Sequence, residues 1–473
     1  MKFVYSSRAD NLQQMFFLSS ARNDTTIHSH DKGSNLHLMI HLYNFALWLL
    51  LPLVLFRLIW RALKQPEYLH HIGERFGMYA AHADKPIIWL HAVSVGETRA
   101  SQSLVTRLRE AFPSHQILLT HTTPTGRATS EQLYGNEVLR VYLPYDFPFA
   151  VKNFLRQFKP QFGILMETEI WINLIQACCK ADVPLLLLNA RLSEKSARNY
   201  ARFASLTRNA LQALAAVAAQ TADDAARLTN LGAKNVSVTG NLKFDIVPPP
   251  AMLELGIKMR EQIGTNRKVF LAASTRDGEE ALLLDALERV RIPGMLLLLV
   301  PRHPQRFAQV AALLEQRGIS FVRRSQMGAA GNTLGGSAQN HMVTAETRAV
   351  LGDSMGEMFA YYASADLAFV GGSLLPYGGQ NLIEACAAGT PVLVGPFTYN
   401  FAEATRHAIS AGAAVQVQNS GDLATELRRL LDNPDALREM HLQCAEFVES
   451  NRGATDKSLQ VIMATISAAK SGR

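Results

Sequence analysis

At 473 residues the chain is too long for one ordinary hydrophobic core, so two domains of roughly 200 residues each are expected. An apolar share of 48% excludes a disordered chain, and a net charge of +7, modest for this length, is consistent with an anionic surface or anionic ligands. Nucleic acid is not expected, because Lys and Arg are dispersed and no basic run is interleaved with aromatics.

Residues 1–38 are polar, unperiodic and rich in Ser, Asn and His. They read as disordered, or as an upstream extension of a chain that starts at Met39. A membrane-anchor helix is expected over 39–64, where "LYNFALWLLLPLVLFRLIWRALK" runs from Leu42 to Lys64. Its uncharged part, Leu42 to Phe56, is shorter than the ~20 residues that span a bilayer, so a full crossing needs Arg57 to snorkel. No small-residue cleavage site follows, and Arg61 and Lys64 on the C-terminal flank favour a cytoplasmic body. The segment therefore reads as an uncleaved anchor, single-pass or interfacial, holding the protein against the inner leaflet.

From Pro86 short apolar runs alternate with amphipathic stretches: "PIIWLHAV", "QILLT", "VLRVYL", "FGILM", "PLLLLN" and "AAVAA" have the length and composition of strands buried on both faces. Pro248 to Pro250 then mark a linker over 247–252, and a second series follows with "VFLAAS", "MLLLLV", "DLAFV", "PVLV" and "AAVQV". Gln326 to Asn340, rich in Gly, Ser and Asn, reads as a loose surface loop. The expected class is α/β: two tandem doubly wound Rossmann-like domains, 65–246 and 253–473, whose strand ends face a cleft. The four cysteines, Cys178, Cys179, Cys386 and Cys444, form no CxxC pair and read as buried thiols of a reducing compartment.

Ligands of such sheets bind at the carboxyl ends of strands, so the motifs there carry the chemistry. In the first half "LHAVSVGETRAS" ends a strand in a turn at Gly96 followed by Glu97; a helix-capping carboxylate and a general base share this spacing. The helix start is expected to keep Glu97 ionised. Glu167 and Glu169 follow another strand, and Lys243 and Asp245 precede the linker. In the second half "FVGGSLLPYGGQNLIEA" carries Gly371, Gly372, Gly378 and Gly379 ahead of a helix expected from about Asn381, with Glu384 one turn in; such glycines approach a phosphate closely or merely make turns. Arg302 in "VPRHP" can meet a phosphate, and Asp353 or Ser354 reads as a cap with Met355 to Glu357 in the first helical turn. Neither DxD nor HExxH occurs, so no metal-bridged diphosphate is expected.

Taken together, "VSVGE", "TPTG", "YLPYD", "METEIW", "NARLS", "LKFD", "PRHP" and "FVGGS" resemble the bacterial 3-deoxy-D-manno-octulosonic acid (Kdo) transferases that decorate lipid A, from about Met39 to Phe401 and less distinctly beyond. That resemblance implies the glycosyltransferase B fold, the cytoplasmic face of the inner membrane, CMP-Kdo as donor, a lipid A precursor (lipid IVA) as acceptor, and neither cofactor nor catalytic metal. It implies Glu97 as proton acceptor, Glu167 and Lys243 as transition-state stabilisers, and CMP contacts at Pro301, Arg302, Met355, Gly356, Glu357, Asn381, Leu382, Ile383 and Glu384. The chain departs from the family pattern at Ile172, Arg276, Gln380 and Leu382, of which Leu382 can offer only backbone or packing. Two other readings stand beside it: a nucleotide-sugar 2-epimerase of the same fold, and a non-catalytic, membrane-tethered nucleotide-binding protein.

Overall fold

A computed structural model describes residues 32–63, 65–290, 292–327 and 342–471. The expected disorder of residues 1–31, and the expected loop over 328–340, lie outside the described residues. The chain divides into two compact units, one holding the sequence up to Asp245 together with Arg452–Arg473, the other Ile246–Asn451.

The first unit is built on a seven-stranded sheet of β1 (Ile87–His91), β2 (Gln116–His121), β3 (Leu139–Tyr142), β4 (Phe162–Met166), β5 (Leu185–Ala190), β6 (Ala216–Ala219) and β7 (Val236–Val238), in the order β3-β2-β1-β4-β5-β6-β7. Every pairing is parallel, and helices cover both faces, which is why the strands are continuous apolar runs. Gly163 in β4 lies where a Cβ would come 2.5 Å from the Trp89 ring, so a large core indole and a missing side chain fit together. The winding direction reverses between β1 and β4, leaving a crevice at their carboxyl ends where ligands of this topology bind.

The second unit repeats the plan with β8 (Val269–Thr275), β9 (Leu296–Pro301), β10 (Phe321–Arg323), β11 (Ala349–Leu351), β12 (Leu367–Val370), β13 (Val392–Val394) and β14 (Ala414–Gln416), ordered β10-β11-β9-β8-β12-β13-β14. Its switch lies between β8 and β12. Strands β7, β10 and β11 were not among the expected elements; "VSV", "FVR" and "AVL" become strands by pairing with a neighbour.

Two boundaries differ from expectation. The N-terminal helix runs Lys32–Ala62, so residues 32–38 continue the helix instead of preceding it. The last helix, Ala454–Ser471, belongs to the first unit although it follows the second in sequence, which corrects the expected second domain of 253–473. Its Ile462 and Ile466 pack in a core cluster with Ile88, Leu90 and Leu104, and the Asp245 carboxylate accepts hydrogen bonds from the Gly453 and Thr455 amides at the helix start. The linker is shorter than expected too: Pro250 opens the helix Pro250–Ile263, the position where a missing N–H costs nothing.

The stretch Leu36–Ala62, 27 residues, is long and apolar enough to cross a membrane. Tyr43, Leu47, Val54, Leu58 and Ala62 form one buried stripe, and the Tyr43 hydroxyl donates to Asp146 Oδ2 at 2.8 Å while Asn173 Nδ2 donates to Asn44 Oδ1 at 2.7 Å. Trp48 lies against Phe147 and Phe149. The helix is thus docked on the first unit by one face. Its other faces show Leu42, Phe45, Leu49, Leu53, Phe56, Ile59 and Trp60 to the outside, an apolar surface that water does not favour.

Candidate active site

In the first unit, β1 leads through Ala92 and Val93 into the short helix Val95–Ala100, capped by Ser94. Ser94 Oγ donates to Glu97 Oε1 at 3.0 Å, and the Val93 amide donates to Glu97 Oε2 at 2.7 Å. The Glu97 amide donates to Ser94 Oγ at 3.4 Å, so Ser94 caps the helix, while the Glu97 carboxylate takes the Val93 amide, one residue before the amide a capping box uses. That does not silence the carboxylate. Each oxygen keeps a further lone pair, and Glu97 is 9% exposed at the switch between β1 and β4.

The expectation that the helix start keeps Glu97 ionised is overturned. Burial pushes its pKa well above the usual carboxylate range, and the charges of Glu167 and Glu169 push it the same way, against the Val93 and Ser94 donors. The result is a stronger base than an exposed glutamate.

Glu167 follows β4 with φ +59, a left-handed conformation uncommon outside glycine. Lys243 Nζ donates to its Oε1 at 2.8 Å, forming a half-buried ion pair. Lys243 rides on the single turn Leu242–Phe244, whose Leu242 amide donates to Asn189 Oδ1 at 3.0 Å and whose Lys243 amide donates to Asn241 Oδ1 at 3.0 Å. Glu169 accepts from Trp171 Nε1 at 2.7 Å. The structure thus separates Lys243 from Asp245, joining one to Glu167 and the other to the last helix. Two buried histidines frame the strand ends as neutral rings: His91 is pushed down to about 3 by burial and then by His121, and His121 to about 4 by burial and then by Arg127 and Arg140.

In the second unit Pro301 ends β9 and Arg302 follows it, with the Arg302 amide donating to Thr275 O at 3.0 Å. Met355 is 61% exposed and Gly356 has φ +84, so this run is a loop. The helix begins later than expected, at Met358, because Gly356 leaves the helical region. Asp353 is no cap: its carboxylate accepts from the Ser325 amide and hydroxyl. Glu357 accepts from Arg324 Nη2 at 3.0 Å and from the Ser354 hydroxyl.

The glycine segment also differs from the phosphate-cradle reading. The Gly379 amide donates to Gly372 O and the Gln380 amide to Gly371 O, so both are used within the turn. Gly371 lies where a Cβ would come 2.6 Å from Ser274 O, a close backbone approach across β8 and β12. The helix starts at Ile383, two residues after the expected Asn381. Leu382 is 1% exposed and Ile383 is buried, which leaves Asn381 and Glu384, joined by a 3.2 Å hydrogen bond, as the side chains of this run facing outward.

Sequence reading missed two buried clamps, Asn189 and Glu279. Glu279 accepts from the amides of Arg276, Gly372 and Leu374, tying the loop after β8 to the loop after β12. A carboxylate at a helix start was the available signal, but its reach across two loops is a tertiary fact. Among the described residues no group of three His, Cys, Asp or Glu side chains is arranged to hold a metal ion.

Comparison with known proteins agrees with this layout. Residues 70–246 match the family described as 3-Deoxy-D-manno-octulosonic-acid transferase (kdotransferase), and residues 327–447 match Glycosyl transferases group 1. The 3-deoxy-D-manno-octulosonic acid transferase of Bordetella pertussis is 42% identical over 436 residues, covering 89% of this chain and 98% of that protein. The protein of the same name from Haemophilus influenzae is 33% identical over 89% of this chain and 97% of its own length. A UDP-GlcNAc 2-epimerase from Neisseria meningitidis, solved with UDP-GlcNAc, superposes with a TM-score of 0.53 at 16% identity, over 80% of this chain and all of that one. That likeness is one of fold, the glycosyltransferase B type shared by transferases and epimerases. Identity sustained over nearly the full length of both partners lies with the transferases, and on that ground the chain belongs to the 3-deoxy-D-manno-octulosonic acid transferase family of glycosyltransferases.

Proposed function

We propose that the chain carries Kdo from CMP-Kdo to a hydroxyl of a lipid A precursor, lipid IVA, by inverting displacement with Glu97 as the base. The observation that supports this most is the Glu97 carboxylate, buried and raised in basicity at the β1/β4 switch beside the Glu167–Lys243 pair. An acceptor oxygen attacking the anomeric carbon must lose its proton as the bond to the cytidylate breaks, and one positioned carboxylate is sufficient for that. Glu167 holds Lys243 in place; the ammonium supplies positive charge where negative charge develops.

CMP is bound by the second unit in this reading. Pro301 and Arg302 take the phosphate end, Met355 to Glu357 line the same group of strand ends, and Glu384 with Asn381 accepts ribose hydroxyls. Leu382 and Ile383 serve by packing. Transfer needs no resident cofactor and no metal on this account.

The lipid acceptor gives the N-terminal helix its purpose. A helix docked by one face on the first unit, and apolar on the others, fits a bilayer surface better than a free crossing segment. Arg61 and Lys64 on its C-terminal flank favour a body on the cytoplasmic side.

Incubating the purified protein with CMP-Kdo and tetra-acylated lipid A precursor, and weighing the lipid by mass spectrometry, tests the reaction and counts the sugars added. Glu97→Gln should lower turnover by about 10²- to 10⁴-fold while CMP still binds as before. Unchanged turnover in that variant would remove Glu97 from the mechanism, and unmodified lipid with the parent protein would refute the activity.

A further inference from the structure

Arg276 follows β8 at the β8/β12 switch of the second unit, and its placement is unusually well determined. Its amide donates to Glu279 Oε2 at 2.8 Å, the oxygen that also takes the Gly372 amide at 2.6 Å. A Cβ built on Gly372 would stand 3.5 Å from Arg276 Cγ and 3.1 Å from Gln380 Nε2, so the arginine stem and the carboxamide flank that glycine. The guanidinium lies over the Tyr377 ring at 4.8 Å, and the Tyr377 hydroxyl is itself fixed by donating to Asp277 O at 3.1 Å. Arg276 Nη1 donates to His303 Nε2 at 3.1 Å.

Charge around it is unbalanced. Neighbouring Arg306 is paired with Asp277 at 3.3 Å and Glu280 at 3.1 Å, whereas among the described residues no carboxylate pairs with Arg276. His303 is held neutral, its pKa lowered by burial and then by Arg276, Arg302 and Arg306, which lets its Nε2 accept from the guanidinium. A half-exposed planar fork, held over an aromatic ring and paired with no carboxylate among the described residues, is shaped for a carboxylate.

We propose that Arg276 reads the carboxylate of the donor sugar, so that the site selects a 2-keto sugar acid over a neutral sugar; this rests on the CMP-Kdo reading above. In such an acid the carboxyl group is attached to the anomeric carbon, the same atom that carries the phosphate ester. A carboxylate receptor must therefore adjoin the phosphate receptor. Arg276 meets that demand: the Arg302 amide is bonded to Thr275 O, the residue immediately before it. A neutral sugar would leave the guanidinium desolvated against the ligand without a partner, which is the stronger form of discrimination.

The test is a comparison of CMP-Kdo with CMP, which lacks the sugar. Transfer by the parent protein is measured first; its absence would defeat the donor assignment and leave Arg276 out of consideration. Arg276→Gln should raise the KM for CMP-Kdo on the order of tenfold to a hundredfold, while inhibition by CMP stays within about threefold of the parent. Arg276→Lys, which keeps the charge and loses the fork, should fall between. Because Glu279 holds the backbone of Arg276 and not its side chain, both variants should unfold at the parent temperature. Equal weakening of CMP and CMP-Kdo would show a phosphate contact and overturn the proposal, and so would an unchanged KM.

Discussion

Two donors, the Val93 amide and the Ser94 hydroxyl, pull the Glu97 pKa down, while burial and the charges of Glu167 and Glu169 raise it further than they lower it. A base works only when deprotonated, so the acid limb of kcat/KM against pH follows this balance. Removing the negative charge in Glu169→Gln lowers the Glu97 pKa, and the limb should move to lower pH. Ser94→Ala removes a donor to the carboxylate, and the limb should move to higher pH. Rate profiles measured on both variants should shift in opposite directions; a shared direction would mean that another group sets the limb. Which of the two roles Glu97 plays was undecidable from "SVGE", since the cap and the base use the same atoms. Its burial and its acidic neighbours, which favour the base reading, are tertiary properties.

At the scale of the strands' carboxyl ends, three residues hold conformations that a side chain usually avoids: Glu167 with φ +59, Asn189 with φ +51 and Ser274 with φ +54. Asn189 uses that conformation to turn its Oδ1 toward the Leu242 amide, and the Leu242–Phe244 turn then carries Lys243 to Glu167. Asn189→Ala loses the acceptor and strains the backbone, whereas Asn189→Gly loses the acceptor alone. The buried Leu242 amide left unpaired costs about 1–3 kcal/mol in both. Left-handed backbone at alanine adds about 1–2 kcal/mol. Thermal unfolding should therefore rank parent above Gly above Ala, and turnover should drop alike in the two variants because Lys243 is loosened equally. Equal stability with full turnover would dissociate Asn189 from the site. None of this linkage was legible in "NARLS" and "LKFD", whose Asn189 and Leu242 lie 53 residues apart and meet through a hydrogen bond. The long strands were legible because continuous apolar runs of five or more residues have few other fates. Strands β10 and β11 were not, since "FVR" and "AVL" become strands only by pairing with a neighbour.

For the whole molecule, the doubly wound pattern could be read twice over, whereas the strand order that sets both switch points came only from the structure. Nor could the ownership of helices be read. An amphipathic stripe states that a helix is buried on one side and says nothing about which core receives it, so the last helix was assigned to the unit it follows. The chain in fact returns, and Ala454–Ser471 closes the first unit by burying Ile462 and Ile466 and by drawing the Asp245 carboxylate onto its start. Ending the chain at Asn451 removes those two side chains, about 1.5–3 kcal/mol each, and leaves Ile88, Leu90 and Leu104 short of partners. A loss of that size is a large part of the stability of an ordinary domain. The truncated protein should keep CMP binding in the second unit while the amides of β1 and β2 lose protection in hydrogen exchange and transfer disappears. Loss of CMP binding with intact protection of β1 would place the helix with the wrong unit.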